Sequence, residues 1–161
     1  MKGGEGDRGP MDYALRVLSR RRISSGALRS LLSRKGFPVP ASDSCIERLR
    51  EWGYLDDLGY AEDALRAVFS GCPVGRRRAE YELRKRCIEP GLAEKILDEA
   101  YQGVSEEALA SEAALKYLNG KDARSLKLQE RARLARWLER RGFGHESIRS
   151  ALSALGHEDP E

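Results

Sequence analysis

The stretch Leu32-Ser33-Arg34-Lys35-Gly36-Phe37 returns as Leu138-Glu139-Arg140-Arg141-Gly142-Phe143 and, with cysteine in the glycine's place, as Leu83-Arg84-Lys85-Arg86-Cys87-Ile88. Each copy reads as the end of a helix. Cations in a last turn complement the negative end of the helix dipole, and a glycine just beyond takes the left-handed conformation that closes the helix. In a Schellman closure the residue after the glycine falls back on the one five positions earlier, so Phe37 is expected on Leu32 and Phe143 on Leu138. Cys87, which carries a Cβ, predicts a strained or differently closed turn. The three closures stand 51 and 55 positions apart, which is a repeat period, in a chain of 161 residues.

Apolar spacing supplies the helices between these closures. Asp12 opens a run whose Tyr13, Leu15, Val17 and Leu18 make a helical face that stops in Arg20-Arg21-Arg22. Ser24 or Ser25 suits the cap of the next helix, whose Leu28, Leu31 and Leu32 lead to Gly36. Pro38 and Pro40 then break the chain, Ser44-Cys45-Ile46-Glu47 has the form of a capping box, and Ile46, Leu49 and Trp52 stripe a third helix ending near Gly53. The same grammar restarts with Tyr60, Ala61, Ala64, Leu65 and Val68. A basic helix from about Arg76 to Arg86 follows, then Pro90 at a first helical position and Leu92, Ile96 and Leu97. A third round runs through Leu109, Ala113, Leu115 and Leu118, crosses a polar loop at Asn119-Gly120-Lys121, and resumes with Leu128, Leu134, Trp137 and Leu138. It closes with Ile148, Leu152 and Leu155.

The expected fold is therefore all-α: three tandem three-helix repeats, over 11–56, 57–101 and 106–155, forming an elongated, curved helical protein. A disordered tail is expected over 1–10 and an acidic tail over 156–161. Hydrophobic residues at 40% beside charged residues at 34% suit a shape with much surface per residue, and β-branched and aromatic residues are too few for a large sheet. No apolar run reaches the roughly 18 residues of a membrane span, and the polar start lacks the apolar core of a signal peptide. A cytoplasmic location without membrane association is expected.

The chemistry the residues support is binding. Cys45, Cys72 and Cys87 form no C-x-x-C pair and, with His145 and His157, no ligand set, so neither a metal nor a cofactor is expected. There is no glycine-rich phosphate loop and no nucleophile with a supporting base, so catalytic residues are expected to be absent. The net charge is +3, but 12–56 carries nine basic and five acidic residues, 57–101 eight and nine, and 106–155 ten and seven. Arg20, Arg21, Arg22, Arg34, Lys35, Arg76, Arg77, Arg78, Arg84, Lys85, Arg86, Arg140 and Arg141 recur at equivalent places. They either form one basic stripe for phosphates or acidic protein surface, or each cluster caps its own helix in solvent. Tyr81, inside the basic middle helix, either stacks on a base or a partner's side chain or belongs to the core. Trp52, Trp137, Phe37 and Phe143 read as core or cap contacts, and Asp56-Asp57 as the end of one unit and the start of the next helix.

The ordered set of Leu-x-x-Lys-Gly-Phe, Gly53-Tyr54-Leu55-Asp56-Asp57 with Tyr60-Ala61, Gly75-x-x-Arg78 with Glu82-Leu83-x-x-Arg86, and Arg140-Arg141-Gly142-Phe143 ahead of Ile148 resembles the bacterial regulatory protein family RecX over about Asp12 to Leu155. The resemblance implies a cytoplasmic regulator that binds the RecA recombinase filament along its groove and suppresses its ATPase, coprotease and strand-exchange activities; no catalysis of its own is expected, and an elongated monomer is the default expectation. It also implies weak binding of single- and double-stranded DNA. Three features depart from the family's pattern: Ala27 where glutamate is common, Cys87 where glycine is common, and a long connection from Pro38 to Ser44. A stand-alone helical nucleic-acid-binding protein is the alternative reading, and a nuclease with dispersed carboxylates a third.

Overall fold

The structure, a computed structural model, describes residues 9 to 155; residues 1–8 of the expected N-terminal tail and the acidic tail 156–161 lie outside the described residues. All regular elements in the described part are helical: α1 Pro10–Leu18, α2 Ser25–Arg34, α3 Val39–Glu51, α4 Asp57–Phe69, α5 Arg76–Lys85, α6 Pro90–Tyr101, α7 Glu106–Leu118, α8 Leu128–Arg140 and α9 His145–Ala154. A single 3-10 turn, Ala123–Ser125, lies between α7 and α8. None of these helices is long and apolar enough to cross a membrane.

Local chemistry explains the starts. Pro10 occupies the first position of α1, where its missing N–H and fixed φ cost nothing, so this helix begins two residues before Asp12. Ser24 caps α2 by accepting the Ala27 N–H at 3.0 Å. The Asp56 carboxylate accepts the Gly59 N–H at 3.0 Å at the head of α4. Glu89 accepts the Gly91 and Leu92 N–H groups at 3.0 and 2.9 Å at the head of α6, and these bonds hold its carboxyl below its ordinary value.

One start differs from the sequence expectation. The helix assigned to begin at Ser44 begins at Val39, so Ser44 to Glu47 lie inside α3 and form no capping box. Pro38 takes the cap position and Pro40 the first turn, where the absent N–H would have had no partner in any case. The prolines launch the helix, and the connection that looked long is only the short Lys35-Gly36-Phe37-Pro38 link.

The ends follow the closure rule. Phe37 N–H bonds Leu32 O at 3.2 Å and Gly36 N–H bonds Ser33 O at 2.9 Å. The same pair of bonds joins Phe143 to Leu138 at 3.3 Å and Gly142 to Glu139 at 2.9 Å. At the middle turn, Ile88 N–H reaches Leu83 O at 3.2 Å and Cys87 N–H reaches Arg84 O at 2.9 Å. Cys87 therefore closes its helix in the same way and carries the strain, with φ of 54° against 84° at Gly36 and 88° at Gly142.

Two compact units emerge. Among the described residues, the first comprises 9–63 with Leu83–Ala93, and the second Ala64–Glu82 with 94–155, so the division runs through α4, α5 and α6. In the first, α1, α2 and α3 pack pairwise around Ala14, Leu28, Leu32, Ile46 and Leu49, with Tyr13 and Phe37 half-buried at the edge. In the second, α7, α8 and α9 pack pairwise around Ala113, Ala114, Leu134, Leu138, Phe143 and Ile148. Trp52, expected as a core or cap contact, takes the C-cap position of α3 and is 50% exposed, with the Arg48 guanidinium 4.9 Å from its ring centroid. Leu115 points away from the Ala110, Ala113, Ala114 and Leu118 stripe, and Leu128, 84% exposed, opens α8 without joining the core.

Candidate cationic interface

The tripeptide Arg20-Arg21-Arg22 links α1 to α2, and Lys35 closes α2, so tight packing of these two short helices brings both clusters together. They border a groove of about 510 Å³ lined by Tyr13, Arg16, Val17, Arg20, Arg21, Leu31 and Lys35. Four cations surround an aliphatic floor, and no carboxylate among the described residues lines it. Lys35 Nζ lies 5.3 Å from the Tyr13 ring centroid, and the Tyr13 ring meets Phe37 at 6.1 Å. Arg20, Arg21, Arg34 and Lys35 form no ion pair with any described residue. Unneutralised cations beside apolar surface attract an anion that brings its own apolar parts.

Arg22 turns elsewhere. It pairs with Asp63 at 2.7 Å and lies over the Tyr60 ring, beside a second groove of about 460 Å³ whose walls include Leu15, Leu18, Ile23, Tyr54 and Asp56. At the end of α5, Arg84 and Lys85 are exposed, while Arg86 is half-buried and its carbonyl accepts the Ser24 hydroxyl at 2.6 Å.

In the second unit the expected cations divide sharply. Arg76 pairs with Asp98 at 2.5 Å. Arg78 pairs at 2.7 Å with Glu82, a buried carboxylate, and its guanidinium also covers the Tyr81 ring at 5.5 Å. Tyr81 is thus an exposed ring with a cation on one face, not a core residue. Arg77 and Arg140 are exposed and form no ion pair with described residues. Arg141 is a structural group: its Nε and Nη2 donate to the carbonyls of Pro73 and Cys72 at 2.9 and 2.7 Å, and it stacks over Trp137.

No family model matches the chain. It is 37% identical over 142 residues to the regulatory protein RecX of Vibrio vulnificus, covering 88% of this chain and 90% of that protein. It is also 34% identical over 157 residues to the regulatory protein RecX of Pelodictyon phaeoclathratiforme, covering 95% and 94%. The chain belongs to the RecX family. Its all-α fold is that of the crystal structure of RecX from Lactobacillus salivarius, with a TM-score of 0.68 at 18% identity over 91% of this chain and 94% of that one. Its role is that of a RecX regulatory protein.

Within this RecX protein, Arg20, Arg21 and Lys35 share the first unit's groove. The groove also contains Arg16, which sequence reasoning missed. Its signal was present: Tyr13, Arg16, Val17 and Arg20 fall at i, i+3, i+4 and i+7 on one face of α1. The cation was passed over because it interrupts an apolar run instead of joining a cluster.

Proposed function

We propose that this RecX-family chain binds the RecA recombinase filament on DNA and restrains its ATPase, coprotease and strand-exchange activities without chemistry of its own. Membership of the RecX family over nearly the whole chain carries this reading. The cationic groove of the first unit supports it, because a filament on DNA presents phosphates and carboxylates over a long surface. In this proposal the chain acts in the cytoplasm as a monomer, and α1–α3, α4–α6 and α7–α9 are three repeats that meet successive positions of the filament. The partner-facing residues are the cations with no ion pair among the described residues: Arg20, Arg21 and Lys35 in the groove, with Arg34, Lys85, Arg77 and Arg140 outside it.

The test is single-stranded-DNA-dependent ATP hydrolysis by RecA from the same organism with the chain titrated from substoichiometric to equimolar ratios. Inhibition is expected; unchanged turnover together with no binding to the filament refutes the proposal. The cations without an ion pair among the described residues also favour a second reading, a stand-alone nucleic-acid-binding protein. That reading requires tight binding to DNA without RecA and an affinity that falls steeply with salt, since each neutralised phosphate releases counterions. A flat salt response eliminates it.

A further inference from the structure

In α8, Gln129, Arg133, Arg136 and Arg140 stand at i, i+4, i+7 and i+11, all within about 60° of one another around the helix axis. The four are exposed, and Leu134 and Leu138, buried on the opposite side, hold the helix against the second unit's core. None of the three guanidinium groups forms an ion pair with a described residue. Arg136 Nε donates to Ala132 O at 3.3 Å within the same helix, and its two terminal nitrogens bond nothing described. The two glutamates of α8 do not answer them: Glu130 accepts the Lys127 N–H at 2.9 Å, and Glu139 is exposed about 60° aside from Arg136 without pairing with it. Cations on neighbouring helices of the unit are answered, Lys116 by Glu112 at 2.8 Å and Arg78 by Glu82 at 2.7 Å. Like charges three and four positions apart destabilise a helix, so the stripe gives α8 no support. Arg140, in the last turn, suits the helix dipole, but Arg133 and Arg136 lie mid-helix, where that explanation fails.

The chemistry of the stripe decides what it fits. Protein interfaces are anchored by apolar and aromatic side chains in desolvated pockets, and no such side chain stands among these four. The nearest ring, Trp137, is half-buried and already covered by Tyr117 and Arg141. Interfaces with nucleic acid are polar and strongly positive, and a guanidinium matches the oxygens of a phosphate two at a time. From Arg133 to Arg140 the helix axis advances about 10.5 Å, over which one strand of a duplex presents about three phosphates. We propose that the Gln129–Arg133–Arg136–Arg140 face of α8 binds the phosphodiester backbone of nucleic acid, one guanidinium to each of three phosphates and without reading bases. This goes beyond the filament reading and does not depend on it, since bare nucleic acid is a sufficient ligand. It also differs in kind from the first unit's groove, whose cations border an aliphatic floor.

The experiment uses the full chain without RecA and reads fluorescence anisotropy of a labelled thymidine oligonucleotide, and of a mixed-sequence duplex, over a salt series. Arg133→Gln, Arg136→Gln and Arg140→Gln together keep good helix formers and remove three charges. Lys95→Gln, Lys121→Gln and Arg149→Gln, exposed in the same unit, remove as much charge elsewhere. The α8 variant is expected to bind the oligonucleotide about tenfold or more weakly at low salt, with a log–log salt slope shallower by about 2, which is three phosphates on a single strand. The control should lose less than about threefold, the three lysine replacements in α8 should restore most of the slope, and the melting midpoint of the α8 variant should stay the same or rise. Equal weakening by both sets would reduce the effect to net charge and overturn the site. So would an original chain that binds neither oligonucleotide nor duplex, or a fall in the midpoint of the α8 variant, which would make the stripe a support of the helix. Unchanged oligonucleotide binding with weakened binding to RecA filaments would assign the face to acidic protein surface instead and overturn the phosphate contact. A chain that binds DNA through α8 and leaves RecA turnover unchanged would uphold the site and count against the filament reading alone.

Discussion

Cys87 stands where Gly36 and Gly142 stand in the other two closures and holds the same left-handed backbone, at φ 54°. A side chain in that region costs roughly 1–2 kcal/mol, part of which glycine gives back through its greater freedom in the unfolded chain. Cys87→Gly is expected to stabilise the protein by about 1 kcal/mol in denaturant unfolding. Because Cys87 is exposed and Gly26 comes closest to its carbonyl, which glycine keeps, binding should not change. Phe143, 1% exposed among Leu134, Leu138 and Ile148, is a full core residue. Phe143→Ala should cost on the order of 3 kcal/mol or more, because the transfer loss is joined by the cavity left behind. An unshifted melting midpoint would contradict the packing. Sequence placed both residues correctly, since a Schellman closure dictates where its glycine and its apolar partner must be. It could not tell that Phe143 is fully buried while Phe37 is only half-covered, because that depends on what lies above the turn.

At the scale of elements, the helices were legible wherever an apolar stripe agreed with a side-chain cap, as at Ser24, or with a proline at the first helical position, as at Pro90. The start of α3 was misread because Ser44-Cys45-Ile46-Glu47 matches a cap pattern, and two prolines matched a break. A proline before or within a first turn leaves the helix intact, and local sequence carries both signals equally well. Helical spacing left Trp52 between core and cap, and the structure decides for the cap: the stripe ends at Leu49, and the ring at the end of α3 packs with Arg48. The close approach of one helix's closing turn to another helix's start was invisible in the sequence. Gly75→Ala tests one such approach, since its Cβ would meet the backbone of Gly142 and Phe143, which cannot swing aside as a side chain can. A loss on the order of 3 kcal/mol is expected, at the upper end of the usual cost of overpacking. Wild-type stability would show that α5 and the α8 closing turn do not meet so closely.

At the scale of the whole molecule, the cations separate into those the fold uses and those it leaves open. Charge reversal of Arg20, Arg21 and Lys35 together should weaken filament binding by about tenfold or more while the melting midpoint stays nearly constant, because no described carboxylate is paired with any of them. A large fall in the midpoint would instead make the cluster a support of α1 and α2. Arg141→Ala should behave in the opposite manner. It removes two hydrogen bonds to the Cys72 and Pro73 carbonyls and the stacking on Trp137, so unfolding should become easier by roughly 2 kcal/mol. Loss of binding at unchanged stability would return Arg141 to the interface. The joint reversal of Arg76, Arg77 and Arg78 mixes the two classes, since Arg76 pairs with Asp98, Arg78 neutralises the buried Glu82, and Arg77 has no ion pair among the described residues.

The all-helical character, the positions of the closing turns and the membership of the RecX family were determined by sequence alone. Each depends on residues near one another in the chain: apolar spacing at 3.6 residues per turn, cations before a left-handed residue, and short motifs in a fixed order. Tertiary structure decided which arginines are available. Arg140 and Arg141 are neighbours with the same charge and the same place in the motif, and one is exposed while the other is bound to backbone carbonyls almost seventy positions earlier in the chain. A guanidinium's role is set by the acceptors that folding brings within about 3 Å of it, and no local pattern encodes those.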